Sequence, residues 1–203
     1  MSIIKYDYPP LYFPEEGYHK TELFIEPETL DSLREFAEGL EGWEAIHEKH
    51  PEENEKSNDG RKYRFQRKMT SAEKRKGSLR TVIDECKKKL KVVHPIFHVT
   101  DTYLLKSLPG GPDQGWHSDY KKEYLETLPA GFFCGTVIVA LQDETVVWVK
   151  RHKDLEIKLN KGHMMFMKGD LIHAGAAYKT ENYRLHFHVG LSKNFKAESN
   201  LYF

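Results

Sequence analysis

The sequence predicts a mainly β protein, a barrel or sandwich, with a helical layer ahead of it in the chain. Beyond residue 92 the chain breaks into short apolar or alternating runs separated by turn signals, with no helical periodicity among them. Ahead of that lie two stretches whose apolar residues recur at helical spacing. The apolar share is 39% over 203 residues, with eleven Tyr and eleven Phe, enough for one well-buried, β-rich core. One domain over 1–203 is expected, with a helical layer over 1–91 and a β core over 92–192.

Residues 3–25 are rich in Tyr and Pro (Tyr6, Tyr8, Pro9, Pro10, Tyr12, Pro14), which forbids a long helix and predicts an irregular or edge-strand lead-in. A helix is predicted over about 28–50, with Thr29 as N-cap and Leu30, Leu33, Phe36, Ala37 and Leu40 on one face. Gly39 and Gly42 weaken its second half. Residues 51–62 are polar and aperiodic, a mobile loop by composition. Residues 61–91 hold thirteen Lys or Arg against three acids, Glu73, Asp84 and Glu85. Within them 78–91 form an amphipathic pattern, with Leu79, Val82, Ile83, Cys86 and Leu90 on one stripe. The lysines read as the solvated face of that helix, and the alternative is a basic rim that receives an anionic partner such as nucleic acid.

Short β-type runs follow at 93–99 and 103–108, ending in the turn Pro109-Gly110-Gly111-Pro112. Residues 132–141 are almost wholly apolar, a strand buried on both faces. Further strands are expected at 145–150, 155–159 and 163–167, with turns at 160–162 and 168–170. The last run, 183–191, alternates Arg184, His186 and His188 with Leu185, Phe187 and Val189. The sequence contains no internal repeat.

Several function classes lose support here. Net charge is zero, so no global field favours nucleic acid or membrane. No apolar run approaches a membrane span, and the N-terminal residues lack a signal-peptide pattern, so a cytoplasmic or nuclear setting is expected. Cys86 and Cys134, far apart in unlike contexts, are expected to be reduced thiols. Residues 197–203 resemble a protease-tag remnant and are set aside.

The chemistry concentrates in three places. His117 and Asp119 stand two apart, so an extended backbone points both to one side. His173, far downstream between Gly169-Asp170 and Gly175, supplies a second imidazole from another strand. Two His and one carboxylate on one face leave three positions open on an Fe(II) ion, for substrate and dioxygen. Arg184, eleven residues after His173, suits a strand returning past the metal. A guanidinium inside a barrel needs an anion, and its planar fork matches a carboxylate.

These residues together resemble the 2-oxoglutarate and Fe(II)-dependent dioxygenases, nearest in layout to the prolyl-hydroxylase-like branch. The resemblance spans residues 102–191. It implies a double-stranded β-helix, a jelly-roll or cupin-like barrel, with the N-terminal helices packed on it. It implies metal ligands at His117, Asp119 and His173, with Arg184 on the remote carboxylate of 2-oxoglutarate and Tyr103 assisting it. It further implies oxidative decarboxylation of 2-oxoglutarate to succinate and CO2, coupled to C–H hydroxylation of a peptide or small-molecule substrate, with ascorbate as a reductant. Asp119 disfavours halogenation, because the family's halogenases carry a small residue there. No second Arg follows Arg184 closely, which withholds support from the nucleic-acid demethylases. His186 and His188 have no counterpart in that pattern. Two other readings compete: a cupin-like metal-binding barrel without redox activity, and a nucleic-acid binder acting through 61–91. Against the first, the only His-x-His lies at the end of the barrel and no Glu follows it closely.

Overall fold

A computed structural model describes residues 13–46, 62–95, 97–128 and 132–191. Among these residues ten strands form two antiparallel sheets. The strands are β1 (Tyr18–Glu22), β2 (Glu44–Ala45), β3 (Arg64–Lys68), β4 (His98–Ser107), β5 (Cys134–Ala140), β6 (Thr145–Val149), β7 (Leu155–Leu159), β8 (His163–Lys168), β9 (His173–Gly175) and β10 (Asn182–Gly190). The helices are α1 (Pro27–Glu38), α2 (Gly77–Val93) and α3 (Lys122–Thr127). The large sheet runs β1-β8-β5-β10-β4-β3-β2, and the small one β7-β6-β9.

Period-two alternation gives the large sheet two unlike faces. One face turns Leu104, Val137, Val139, Phe166, Leu185 and Phe187 toward Leu33 of α1 and Val82, Ile83 and Leu90 of α2. The opposite face, through Ile138, Ala140, Met165 and Met167, meets Val147, Val149 and Leu159 of the small sheet. Cover on both sides explains why every residue of β5 is buried, as its unbroken apolar run requires. Two antiparallel sheets closed face to face are a jelly roll, the double-stranded β-helix expected from the sequence.

The structure departs from the sequence reading in several places, among them β2 and β3, strands within the expected helical layer 1–91. The first helix stops at Glu38, because Gly39 caps it and Gly42 adopts φ +74, a turn conformation that leads into β2. Its start is set by Pro27 at the first helical position after Glu26, so Thr29 lies inside the helix. The two runs 93–99 and 103–108 resolve into the end of α2 and one long strand, β4. The short helix α3 occupies the loop after the His-x-Asp segment, where the sequence reading placed none. The second helix forms at Gly77–Val93, bracketing the predicted 78–91.

Part of the basic segment is a strand, since β3 carries Arg64 to Lys68 into the sheet. Much of its charge is paired locally: Arg67 with Glu73, Lys68 with Asp101, Arg80 and Lys87 with Asp84, and Lys88 with Glu85. Exposed pairs of this kind stabilise little, but they do make the lysines a solvated face. The mobile loop expected over 51–62 lies outside the described residues, Lys62 excepted, as do residues 1–12, 197–203 and most of the chain between α1 and β3. Both cysteines are buried free thiols. No helix among the described residues is long and apolar enough to cross a membrane.

Candidate metal centre

His117 and His173 are brought together by backbone. The His117 amide donates to the His173 carbonyl at 3.0 Å, and the His173 amide donates back to the His117 carbonyl at 2.8 Å. This isolated bridge continues the small sheet beyond β9 and sets the two rings 4.5 Å apart, centre to centre. Each ring is oriented from behind. Nδ1 of His117 lies 2.8 Å from the Gly115 carbonyl, and Nδ1 of His173 lies 2.9 Å from the Leu171 carbonyl. A carbonyl accepts only, so each Nδ1 carries the proton and each Nε2 is left with its lone pair facing inward.

Asp119 reaches the same point from the opposite side. Its Oδ2 stands 3.8 Å from Nε2 of His173, and one donor atom from each of His117, Asp119 and His173 lies within 4.8 Å of the others. All three residues are buried. The carboxylate is steadied by Thr136, whose Oγ1 donates to Oδ2 at 2.5 Å from the neighbouring strand β5. The residue that follows is an anchor. Tyr120 is fully buried, its amide donates to the Gly169 carbonyl at 3.1 Å, and its hydroxyl meets Nδ1 of His188 at 2.8 Å. A Cβ at Gly169 would stand 2.7 Å from the Tyr120 ring, so glycine there permits the close approach.

Electrostatics suit a cation. Burial opposes ionisation of Asp119, but the imidazoles of His173, His186, His117 and His188 around it outweigh that and hold its carboxyl well below the usual range. Burial pushes His117 down to about 4, reinforced by His173 and opposed by Asp119. Burial likewise pushes His186 down to about 3, although Asp119 Oδ2 is only 4.0 Å from its Nε2. Around neutral pH Asp119 is therefore ionised while His117 and His186 are neutral, the state in which such groups ligate a metal. Nitrogen and oxygen donors in this ratio fit a divalent ion of the Fe(II) type.

Arg184 lines the same cavity, a space of about 70 Å3 that also touches all three candidate ligands. The side chain is buried, with Nη1 donating to Asn182 Oδ1 at 2.7 Å and Nη2 to Ser107 Oγ at 2.9 Å. The Tyr178 ring lies 5.2 Å from the guanidinium carbon. All three partners are neutral, and no carboxylate is set against this guanidinium among the described residues. A buried guanidinium of this kind calls for an anionic partner.

Of the five residues singled out from the sequence, the structure brings His117, Asp119, His173 and Arg184 around one cavity. Tyr103 is set apart. It pairs in register with His186, and its ring lies 6.4 Å from that of His186 and 6.1 Å from that of His188; on β4 the cavity wall is made by Leu105 instead. Thr136, Ser107 and Tyr178 escaped the sequence reading because only sheet register brings them to the site. Asn182, two residues before Arg184 on the same face, was open to discovery by that spacing. His186, partly buried, and His188, buried, find their place here as neighbours of Asp119 and Tyr120.

No protein-family model and no curated protein sequence matches the chain. Solved structures do resemble it. The viral collagen prolyl hydroxylase from Paramecium Bursaria Chlorella virus-1, in complex with 2-oxoglutarate, aligns over 87% of this chain and 97% of its own, at 16% identity and TM-score 0.58. SnoN, a non-haem α-ketoglutarate-dependent epimerase of nogalamycin biosynthesis, aligns over 85% of this chain and 78% of its own, at 12% identity and TM-score 0.62. HygX from Streptomyces hygroscopicus, with nickel and 2-oxoglutarate bound, aligns over 89% and 85%, at 12% identity and TM-score 0.60. The chain has the fold of the 2-oxoglutarate/Fe(II)-dependent oxygenases.

Proposed function

We propose that this protein is an Fe(II)- and 2-oxoglutarate-dependent dioxygenase that hydroxylates a C–H bond of a peptidyl or small amino-acid substrate. One observation carries the reading: two inward-facing imidazoles, a carboxylate and a guanidinium with no carboxylate partner among the described residues line one cavity in this fold. Hydroxylation is supported by the viral neighbour, a collagen prolyl hydroxylase. Bound to His117, Asp119 and His173, Fe(II) would supply oxidative decarboxylation of 2-oxoglutarate with dioxygen and insertion of oxygen into the substrate C–H bond.

The chain's own part is positioning and electrostatics. Gly115 and Leu171 fix the tautomers of the two imidazoles, and Thr136 holds the rotamer of Asp119. Arg184 receives the remote carboxylate of 2-oxoglutarate, with Asn182 and Ser107 keeping its fork aimed into the cavity. The apolar wall of Ile138, Val146 and Val147 limits water around the reacting groups. Tyr103 stands in the neighbouring row of the sheet, beside His186.

The test is anaerobic addition of Fe(II) and then 2-oxoglutarate, followed through the weak visible charge-transfer band of the chelate, with His117→Ala as control. A band that needs both additions and vanishes in the control is the expected outcome. Metal binding with no band on adding 2-oxoglutarate would instead favour a metal-binding barrel without redox activity.

A further inference from the structure

The register of the large sheet divides the cavity into two sides. Across β10, β4 and β3, Arg184, Leu105 and Gln66 stand in one row, and Asn182, Ser107 and Arg64 in the next. The fork of Arg184 turns back onto Asn182 and Ser107. Gln66 and Arg64 lie two strands away on the same face, about 10 Å across the sheet. A molecule held by Arg184 therefore leaves the β3 side of the cavity for a second one.

That side is a wall of donors. Arg64 is buried; its Nη2 donates to the carbonyl of Pro112 and, at 3.4 Å, to that of Gly175. These two carbonyls flank the His117 segment and β9, so they fix the guanidinium beside the candidate metal. Its charge is felt there, adding to the depression of the His117 pKa. Gln114 accepts from the Gly175 amide at 3.2 Å through Oε1, which leaves its NH2 as a donor, and the Gln66 carboxamide has no hydrogen-bond partner among the described residues. Asp119 is the sole acid among the described residues lining the cavity, and it belongs to the metal set.

We infer that Arg64, Gln66 and Gln114 form the substrate subsite, and that it takes a small molecule bearing a free carboxylate, not an internal residue of a longer peptide. The inference rests on the proposed function, whose substrate class it narrows. A carboxylate accepts from a guanidinium and two carboxamides at once, whereas a carboxamide in its place brings its own N–H groups against theirs.

The experiment uses the full chain loaded with Mn(II) and 2-oxoglutarate, titrated calorimetrically with free L-amino acids and with the matching amides. A free acid should bind about tenfold to a hundredfold more tightly than its amide, the range of a charge-assisted hydrogen bond. Gln66→Leu should remove most of that preference; Gln66 is half-buried on β3, so this variant tests the subsite even where Arg64→Gln fails to fold. Equal binding of acid and amide, or no binding by any acid in the panel, overturns the inference. If 2-oxoglutarate itself binds in that experiment, the proposed function survives such a failure. If 2-oxoglutarate does not bind to the metal-loaded chain, the proposed function fails and the subsite falls with it.

Discussion

Replacing Arg184 separates cofactor binding from metal binding. The guanidinium has five N–H groups, of which Asn182 and Ser107 take two. Enough remain for both oxygens of a carboxylate. Two charge-assisted bonds of about 1.5–3 kcal/mol each, partly offset by water entering the vacated space, put the loss for Arg184→Ala at about 3–5 kcal/mol. That is about a hundredfold to a few thousandfold in the dissociation constant for 2-oxoglutarate. The Fe(II) dissociation constant should change less than about threefold, because none of the candidate ligands or their orienting carbonyls touches this side chain. Arg184→Lys should fall between, since an ammonium keeps the charge but cannot serve Asn182, Ser107 and a carboxylate together. The assay is the chelate band for 2-oxoglutarate and a separate anaerobic titration for Fe(II). Equal weakening of both constants would show that Arg184 is structural and would refute the assignment.

Three further outcomes are expected. Thr136→Val keeps the shape of β5 but removes the donor to Asp119 Oδ2; Fe(II) retention should fall about tenfold to a hundredfold, measured by competition with a chelator, while far-ultraviolet circular dichroism stays unchanged. Thr102→Val should raise stability by about 1 kcal/mol in urea unfolding, because the Thr102 hydroxyl is buried without a hydrogen-bond partner among the described residues; a loss of stability would mean that the hydroxyl is satisfied in solution. The metal-free protein should lose stability in weak acid. His117 and His186 have folded pKa values of about 4 and about 3, below the ordinary imidazole value of 6.5, so the unfolded chain binds protons first. Their contribution is complete above pH about 6.5 and is lost as pH falls toward those values, by up to about 1.4 kcal/mol per pH unit for each. Urea midpoints that stay flat from pH 7 to 5 would contradict this.

The triad was legible because its chemistry is written in residue types that few other roles require together, and because His117 and Asp119 share a face at short range. Arg184 was legible for the same reason, a charge in an otherwise apolar alternation. The supports were not. Thr136, Ser107 and Tyr178 are common residues that become partners only when β5, β4 and the β9–β10 connection take their register, and register is a property of the whole sheet. The first helix was overextended because periodic apolar residues outweighed two glycines whose positive or capping conformations end it. The basic segment was legible in part: its lysines are the solvated helix face expected, while the strand β3 within it was not foreseen. Its charge count mixed a strand that carries Arg64 inward with a helix whose lysines pair along its surface.

The reciprocal amide bonds between His117 and His173 bear on when the metal arrives. They are made by main chain, independent of either imidazole, so the two candidate ligands most distant in sequence are stapled by backbone alone. This differs from small zinc domains, whose ligands assemble only around their metal. Loading then acts by mass action on a finished scaffold, adding stability of RT ln(1 + [metal]/Kd). A chelator should strip the site and leave the fold standing, and the His117 and His173 amides should exchange slowly in the stripped protein.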